Sequence, residues 1–360
     1  YLLFSKIIIY KNEELANIMN KIITKKPIKQ NTLIDNHGRT IDYLRLSVTD
    51  RCNYRCTYCM PEKMKFLPKQ GLLTLDEMDY LCALFITRGI KNIRLSGGEP
   101  LVRKGIINFI SKLSRFIERG DLNEITLTTN GSQLKTSSQD LYDSGVRRIN
   151  VSLDSLDEKK FNEITRRDDL CNVIEGLEAA KNSGLKVKIN TVVIKNKNLD
   201  EINNIILWAH KNNFDISLIE TMPMGLTDKD RIDQYISLSE VKKIILEKFT
   251  LIDSSYKTSG PSQYSKVEET GGLVGFITPL SNNFCASCNR IRLTCTGKLY
   301  MCLGQDNNID FRNLLRTEDD LSLNLAIDRA MRNKPKSHDF DISYKNQAPA
   351  VNRHMSVTGG

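Results

Sequence analysis

The amino-acid sequence predicts an α/β protein, a partial (β/α)6 barrel followed by a smaller C-terminal α+β domain. Short β-branched runs alternate with amphipathic stretches from residue 40 to about residue 222, which is typical of βα units around a parallel sheet. Six such units are too few to close an eight-stranded barrel. Polar residues also recur where successive strands end, which is where barrels of this kind bind their ligands.

The six predicted strands occupy residues 43–48, 92–96, 124–129, 148–153, 186–194 and 216–220. Helices are predicted between them at residues 75–88, 105–119, 172–183 and 200–212. Several of these helices are followed by glycine, which is favourable just beyond a helix C-terminus. The alternation therefore predicts a sheet that is open on one side.

The domain limits follow from this pattern. We expect an N-terminal extension of unknown role over residues 1–30, the partial barrel over 31–235, a C-terminal domain over 236–345, and a tail over 346–360 that ends in Gly-Gly. A chain of 360 residues, 40% of them hydrophobic, is long enough for a large core and two domains.

Charge and cysteine usage narrow the functional classes. Lysine and arginine number 52 against 43 acidic residues, a net charge of +9, which favours a polyanionic ligand such as a nucleotide but equally fits a soluble surface. With no long basic run and no stretch of about 18 apolar residues, neither nucleic acid nor a membrane is expected as a partner. Seven of the nine cysteines fall in two groups, which indicates metal ligation in a reducing cytoplasm.

The first group of cysteines has the spacing C-x3-C-x2-C and comprises Cys52, Cys56 and Cys59. Three thiolates can hold a 4Fe-4S cluster and leave its fourth iron open, whereas structural zinc normally takes a fourth protein ligand. No histidine or further cysteine is close in sequence. Tyr58 supplies an aromatic edge where an adenine could rest. The motif therefore predicts a cluster that binds a small molecule.

Polar motifs follow the predicted strands one after another. They are SGGEP at 96–100, TTNG at 128–131, NVSLD at 150–154, VKIN at 187–190 and ETM at 220–222. Any one of these residues could be a hydrogen-bonded polar group of the core. Together, on one face of successive strands, they predict a bay for a highly functionalised ligand.

A second group of cysteines, spaced C-x2-C-x13-C, comprises Cys285, Cys288 and Cys302. With Cys295 as a fourth ligand, a zinc ribbon is the alternative. Residues 290–295 before the Thr-Gly turn have the pattern of a strand, in which Arg290 and Arg292 face away from Cys295. We therefore predict that Cys295 is a small apolar filler, and that the two arginines offer donors for phosphate or a purine edge.

These motifs together resemble a known family. The first cysteine motif is similar to the signature of radical S-adenosylmethionine enzymes, and both groups with their flanks resemble the GTP 3',8-cyclases, also called molybdenum cofactor biosynthesis protein A. The matching segments lie between about Ile41 and Gly360 and are LRLSVTDRCNYRCTYCMP, RLSGGEPLVR, CNRIRLT and RHMSVTGG. The N-terminal extension departs from the pattern, as does Cys295, which stands where the family usually has a small residue.

The resemblance implies two 4Fe-4S clusters, one on Cys52, Cys56 and Cys59 and one on Cys285, Cys288 and Cys302. It implies an S-adenosylmethionine site lined by Tyr58, Gly98, Ser152 and Met222. The implied GTP site comprises Arg45, Arg94, Thr128, Lys188, Arg290, Ile291 and Arg292. Catalytic roles are implied for Arg290, Arg292, Gly359 and Gly360.

The implied reaction is the first step of molybdenum cofactor biosynthesis. A 5'-deoxyadenosyl radical, formed from S-adenosylmethionine, would remove the 3' hydrogen of GTP, and the substrate would cyclise to (8S)-3',8-cyclo-7,8-dihydroguanosine 5'-triphosphate. The implied partners are an electron donor and a downstream cyclic pyranopterin monophosphate synthase, and a homodimer is one expected assembly.

Two other functions are compatible with parts of the sequence. A radical S-adenosylmethionine enzyme with an auxiliary cluster could act on a peptide, although no leader-peptide-binding module is evident. A non-catalytic zinc-binding protein could also use both cysteine groups. The four histidines lack the spacing of metal ligands and are expected to be surface or packing residues.

Overall fold

Six parallel strands pair side by side in chain order in the computed structural model, which describes residues 32–228, 230–317, 319–343 and 347–359. The strands are β1 Tyr43–Ser47, β2 Asn92–Ser96, β3 Glu124–Thr129, β4 Arg148–Ser152, β5 Lys186–Val193 and β6 Asp215–Glu220. Each agrees with its predicted limits to within one residue, so the predicted fold class is confirmed. The expected extension over residues 1–30 lies outside the described residues.

Helices connect these strands. They are α1 Leu75–Thr87, α2 Ile106–Glu118, α3 Leu134–Asp143, α4 Glu158–Thr165, α5 Leu170–Asn182 and α6 Ile202–Lys211. The four predicted helices agree to within two residues at each end. The sequence analysis missed α3 and α4, which are short, and α3 is also rich in Ser, Thr and Asp, residues with weak helix propensity. In α3 the buried side chains are Leu134, Ser138 and Leu141, so packing of this narrow face stabilises the helix.

The C-terminal part adds six more strands. They are β7 Leu251–Asp253, β8 Gln263–Val267, β9 Leu273–Ile277, β10 Arg290–Leu293, β11 Lys298–Tyr300 and β12 Asn308–Asp310. The helices of this part are α7 Arg231–Gln234, α8 Leu238–Leu246, α9 Phe311–Thr317, α10 Asp320–Arg332 and α11 Met355–Thr358. In the described residues, no helix has the length and apolar character that crossing a membrane requires.

All twelve strands belong to one sheet, in the order β12-β11-β10-β1-β2-β3-β4-β5-β6-β9-β8-β7. β10 pairs in parallel with β1, and β9 pairs in parallel with β6. The C-terminal strands therefore extend the barrel sheet at both edges. This pairing brings Arg292 beside Arg45, residues far apart in sequence. The domain limits proposed from the sequence stay a prediction.

Candidate active site

The first group of cysteines lies in the loop that follows β1. Cys52, Cys56 and Cys59 all line one cavity of about 150 Å³. A tight turn, in which the Cys59 amide donates to the Cys56 carbonyl at 2.9 Å, holds two of them together. The Tyr54 amide donates to the Cys52 sulfur at 3.4 Å. Three thiols therefore face the same space.

Burial opposes ionisation of these thiols. It raises the pKa of Cys52 to about 12, with the Glu99 carboxylate adding to the effect, and raises the pKa of Cys59 to about 11. It also raises the pKa of Cys56 well above the usual value. Thiolates are the form that binds metal. These sulfurs would therefore be protonated at neutral pH unless iron stabilised their charge.

The donors around this cavity fit a cluster with an open iron. The cavity contains three cysteines, with no histidine and no fourth cysteine among its described lining residues. No three His, Cys, Asp or Glu side chains in the described ranges are placed to hold a single metal ion. In a 4Fe-4S cluster each thiolate binds a different iron, so its ligands need not converge on one point.

The four residues expected at S-adenosylmethionine line the same cavity: Tyr58, Gly98, Ser152 and Met222. The Tyr58 hydroxyl donates to Asp154 at 2.7 Å, which fixes its ring at the edge of the cavity. A Cβ on Gly98 would lie 2.1 Å from the Arg51 carbonyl oxygen. The glycine is therefore required by the close approach of two backbone segments.

Glu99, in the loop after β2, organises the neighbouring strand end. Its buried carboxylate accepts hydrogen bonds from the Thr129 hydroxyl and the Asn130 amide, both at 2.7 Å. Burial raises its pKa to about 7 against the opposing effect of these hydrogen bonds. Asn130 in turn directs its side-chain amide toward the Cys52 sulfur at 3.9 Å. Glu99 therefore supports the first cysteine loop indirectly.

The second group of cysteines lines a separate cavity of about 110 Å³: Cys285, Cys288 and Cys302. Burial raises the pKa of the Cys288 thiol, but the opposing charges of Lys334 and Arg290 leave it below its usual value. The described lining of this cavity contains no fourth cysteine, and its one histidine, His338, packs its ring against Phe340. This donor set again fits a cluster with one iron left open.

Four arginines line this second cavity: Arg45, Arg94, Arg290 and Arg292. The strand register aligns Arg94, Arg45 and Arg292 on the neighbouring strands β2, β1 and β10. Burial, followed by the charge of Arg290, lowers the pKa of Arg292 to about 10. Within the described part of the chain, Arg45 Nε, Arg94 Nη2 and Arg290 Nε are buried without a hydrogen-bond partner. These unpaired donors indicate an anionic ligand.

The two cavities adjoin one another. Asn190, Ile219 and Met222 line both of them. On strands β3 and β5, Thr128 Oγ1 and Asn190 Oδ1 are buried and have no hydrogen-bond partner among the described residues. The polar bay predicted from the strand ends therefore exists, with hydrogen-bonding groups available for a ligand.

The C-terminal tail reaches the boundary between the cavities. Met355 and Ser356 line the first cavity, and the Gly359 carbonyl oxygen accepts a hydrogen bond from Arg292. Gly359 has φ +73°, and a Cβ there would lie 1.9 Å from the Ser96 hydroxyl oxygen. Gly360, the other predicted catalytic glycine, lies outside the described residues.

Three of the residues expected at GTP, namely Thr128, Lys188 and Ile291, do not line the arginine-rich second cavity. Thr128 lines the first cavity rather than the arginine-rich second one. Lys188 is buried, lines neither cavity and donates to the Tyr264 hydroxyl at 3.1 Å. The Ile291 side chain is fully buried in the core, so only its backbone is available to a ligand. Cys295 is likewise fully buried in the core.

The sequence analysis missed residues that the structure brings to the second cavity. His338, expected to be a surface or packing residue, lines it beside Phe340, with which its ring packs at 4.6 Å. The Lys334 ammonium lies 3.7 Å from the Cys288 sulfur. Neither residue has a local motif that marks it, because both are placed by contacts between distant parts of the chain.

Comparisons with known proteins agree with this site. A family model of the radical SAM superfamily matches residues 46–209, and a model of Molybdenum Cofactor Synthesis C matches residues 214–340. The GTP 3',8-cyclases of Agrobacterium fabrum and Brucella ovis are each 56% identical over 329 residues, 91% of this chain and 94% and 96% of theirs. The chain belongs to the GTP 3',8-cyclase family. The predicted family and enzyme class in molybdenum cofactor biosynthesis are thereby confirmed.

The comparisons also indicate one cofactor and help to decide between the alternative functions considered from the sequence. The radical SAM match implies an S-adenosylmethionine-binding 4Fe-4S cluster. The crystal structure of Streptococcus suis SuiB bound to S-adenosylmethionine has a TM-score of 0.57 and 17% identity, and the match covers 79% of this chain and 67% of that chain. At this identity the likeness shows the fold alone. The close relatives favour a cyclase over a peptide-modifying enzyme or a non-catalytic zinc protein.

Proposed function

We propose that the chain cyclises GTP to (8S)-3',8-cyclo-7,8-dihydroguanosine 5'-triphosphate, using S-adenosylmethionine and two 4Fe-4S clusters. The observation that carries the proposal is the pair of adjoining cavities, each lined by three cysteines and joined at Asn190, Ile219 and Met222. A radical reaction between two bound molecules requires such contiguity, because reacting atoms must be held within about 3 to 3.5 Å.

In this proposal Cys52, Cys56 and Cys59 ligate the first cluster, and Tyr58, Gly98, Ser152 and Met222 bind S-adenosylmethionine. When bound, these groups supply the electron and the carbon radical that the cyclisation needs. The protein supplies orientation: Tyr58 is held by Asp154, and Arg231 donates to the Tyr58 carbonyl at 2.5 Å. The cysteine loop is thereby fixed against the short helix α7.

GTP would occupy the second cavity. Arg45, Arg94, Arg290 and Arg292 offer guanidinium donors to its phosphates or guanine edge, and such charge-assisted hydrogen bonds are among the strongest in proteins. From the family resemblance we also assign Thr128, Lys188 and the backbone of Ile291 to the substrate; Thr128 would contact it from the first cavity, which adjoins the second. The arginines lie on three neighbouring strands, so the sheet itself fixes their spacing.

The second cluster would be ligated by Cys285, Cys288 and Cys302 and would leave one iron without a protein ligand. Support comes from the three thiols that share the cavity with the arginines. Cys295 is outside this set, because its side chain lies in the apolar core. A fourth thiolate would also occupy the iron that a substrate could bind.

The C-terminal tail would complete the active site. Met355 and Ser356 cover part of the first cavity, and the bond between Arg292 and Gly359 places the tail against the arginines. Excluding water from this space protects a reactive radical from side reactions. On this basis we assign Gly359, with Arg290 and Arg292, to the catalytic machinery; the assignment of Gly360 rests on the family resemblance alone.

The remaining proposals concern partners. An electron donor must reduce the first cluster, and a cyclic pyranopterin monophosphate synthase would consume the product. We also propose that the enzyme is cytoplasmic and forms a homodimer.

Anaerobic incubation of the reconstituted enzyme with GTP, S-adenosylmethionine and dithionite tests the function. We expect about eight irons per chain, 5'-deoxyadenosine, and a nucleotide product that mass spectrometry and NMR identify as the 3',8-cyclised form. A Cys52→Ala chain is the negative control. Formation of 5'-deoxyadenosine with no modified nucleotide would exclude GTP as the substrate but retain the radical chemistry.

A further inference from the structure

A buried lysine lies behind the second group of cysteines. Lys334 follows α10 and has a side chain that is only 3% exposed. Its ammonium donates to the Met301 carbonyl at 2.7 Å, the Arg290 carbonyl at 3.0 Å and the Cys288 sulfur at 3.7 Å. An ammonium has three N–H donors, so these three acceptors use its full capacity.

The three partners belong to the two segments that carry the proposed ligands. Cys288 is itself a ligand, and Arg290 begins the strand that directly follows it. Met301 directly precedes Cys302, which lies on the far side of the β10–β11 hairpin. One ammonium therefore connects both ligand-bearing segments. Loss of the ammonium would leave two backbone carbonyls in this region without their donor, which is costly where they are buried.

Each cysteine of this group has a cation nearby. Arg39 donates to the Cys285 carbonyl at 2.8 Å, and Arg353 donates to the Cys302 carbonyl at 3.3 Å. Of these three cations, Lys334 is the one that contacts a sulfur atom. The first cysteine group has charges of both signs nearby, such as the Asp154 carboxylate at the Tyr58 hydroxyl and the Arg231 guanidinium at the Tyr58 carbonyl. Among the described residues, the contact of a cation with a sulfur therefore distinguishes the second group.

We propose that Lys334 is a positioning residue for the second cluster, and that its ammonium makes the reduction potential of that cluster more positive. The inference rests on the proposed function, because it requires a cluster on Cys285, Cys288 and Cys302. Reduction adds negative charge to the cluster and its sulfurs, and a nearby cation that donates a hydrogen bond to a ligating sulfur stabilises the reduced form. The low dielectric of a buried site strengthens this effect.

The test compares four reconstituted chains: wild type, Lys334→Met, Lys334→Arg and Lys336→Met. Methionine keeps the length of the side chain but removes the charge and the donors, whereas arginine keeps both. Lys336 is exposed and two residues away, so its methionine variant is the matched control. Iron is counted, and each cluster is titrated with a reductant and followed by EPR. The same titration in chains whose Cys52, Cys56 and Cys59 are alanine isolates the second signal.

We expect the second cluster of Lys334→Met to become at least tenfold harder to reduce, about 59 mV lower for a one-electron couple. The arginine variant should recover most of the shift, and Lys336→Met should match wild type. Loss of about half of the iron in Lys334→Met alone, with retention in Lys334→Arg, would also support the proposal. An unchanged potential, EPR spectrum and iron count in Lys334→Met would overturn it. Wild-type protein with only one cluster would instead refute the proposed function.

Discussion

Arg292 Nη1 donates a hydrogen bond of 2.7 Å to the carbonyl oxygen of Gly359. This contact joins β10, which carries two of the four arginines of the second cavity, to the C-terminal tail, 67 residues later in the chain. Since Arg292 is buried and burial lowers its pKa toward about 10, the guanidinium is still charged at neutral pH. The position of the tail and the charge at the proposed nucleotide site are therefore linked through one side chain.

Replacing Gly359 with alanine should displace the tail. The added Cβ would lie 1.9 Å from the Ser96 hydroxyl oxygen, far closer than any real contact. We expect formation of the cyclised nucleotide to fall at least tenfold, about 1.4 kcal/mol in activation free energy, with iron content unchanged. Product analysis by chromatography and an iron assay measure the two effects.

Gly120→Ala is the matched control for this variant. Gly120 also has φ +73°, but a Cβ there would meet nothing within 4 Å. Both alanines carry the backbone strain of a left-handed conformation, and only the one at Gly359 meets a steric clash. Full activity of Gly359→Ala would contradict the proposed role of the tail.

Alanine at Cys52, Cys56 or Cys59 should abolish cleavage of S-adenosylmethionine. Two thiolates do not hold a cluster in a single orientation, and the buried thiols are hard to ionise without iron. The measurement is 5'-deoxyadenosine formed under dithionite. Cys171→Ala is the control, because Cys171 is exposed and outside both groups. Wild-type yields in any of the three variants would disprove the assignment.

Alanine at Cys285, Cys288 or Cys302 should remove the second cluster without affecting the first. The first cysteine group lines its own cavity, so the first cluster should remain, and total iron should fall to about half of the wild-type value. GTP binding and cyclisation should be lost. Iron analysis with calorimetry of GTP binding separates this outcome from general unfolding, in which both clusters would disappear.

The sequence predicted the sheet well where the signal is local. In each of the first six strands apolar and polar residues alternate over about four positions, and this period identifies a strand without knowledge of its neighbours. The cysteine spacings are local in the same sense. For this reason Cys52, Cys56 and Cys59 could be grouped from sequence, and the structure places them at one cavity.

Long-range pairing was not predictable in the same way. The sequence identified β10 as a strand but contained no indication that it pairs in parallel with β1, which aligns Arg292 with Arg45. The burial of Lys334 is a similar case. In sequence it resembles the exposed Lys336 two positions later, and only contacts with Met301 and Cys288 distinguish it.

Arg290→Ala and Arg292→Ala should each weaken GTP binding by about 1.5 to 3 kcal/mol, the range for hydrogen bonds to charged groups. Arg290 Nε has no partner among the described residues, and both side chains line the second cavity. Calorimetry with GTP measures the change. Arg332→Ala, at an exposed position of α10, should bind GTP as wild type does. Unchanged affinity in both cavity variants would place the nucleotide elsewhere.

Cys295 should prove not to be a metal ligand, although it lies between Cys288 and Cys302 in sequence. Its side chain is fully buried in the apolar core and is not among the described residues that line the cavity of Cys285, Cys288 and Cys302. Cys295→Ala should therefore keep the iron content, GTP affinity and product yield of wild type. The removed sulfur leaves a small cavity that should cost about 1 to 2 kcal/mol in the free energy of unfolding.

Cys82→Ala is the control for that stability loss, because Cys82 is equally buried but lies in α1 rather than near the second cluster. Denaturant unfolding of the two apo-proteins should give losses of similar size, and iron analysis of the two reconstituted enzymes should give equal values. If Cys295→Ala alone lost half of its iron, the second cluster would have four protein ligands. No iron would then remain open to the guanine base, and the cluster would act in electron transfer or structure instead.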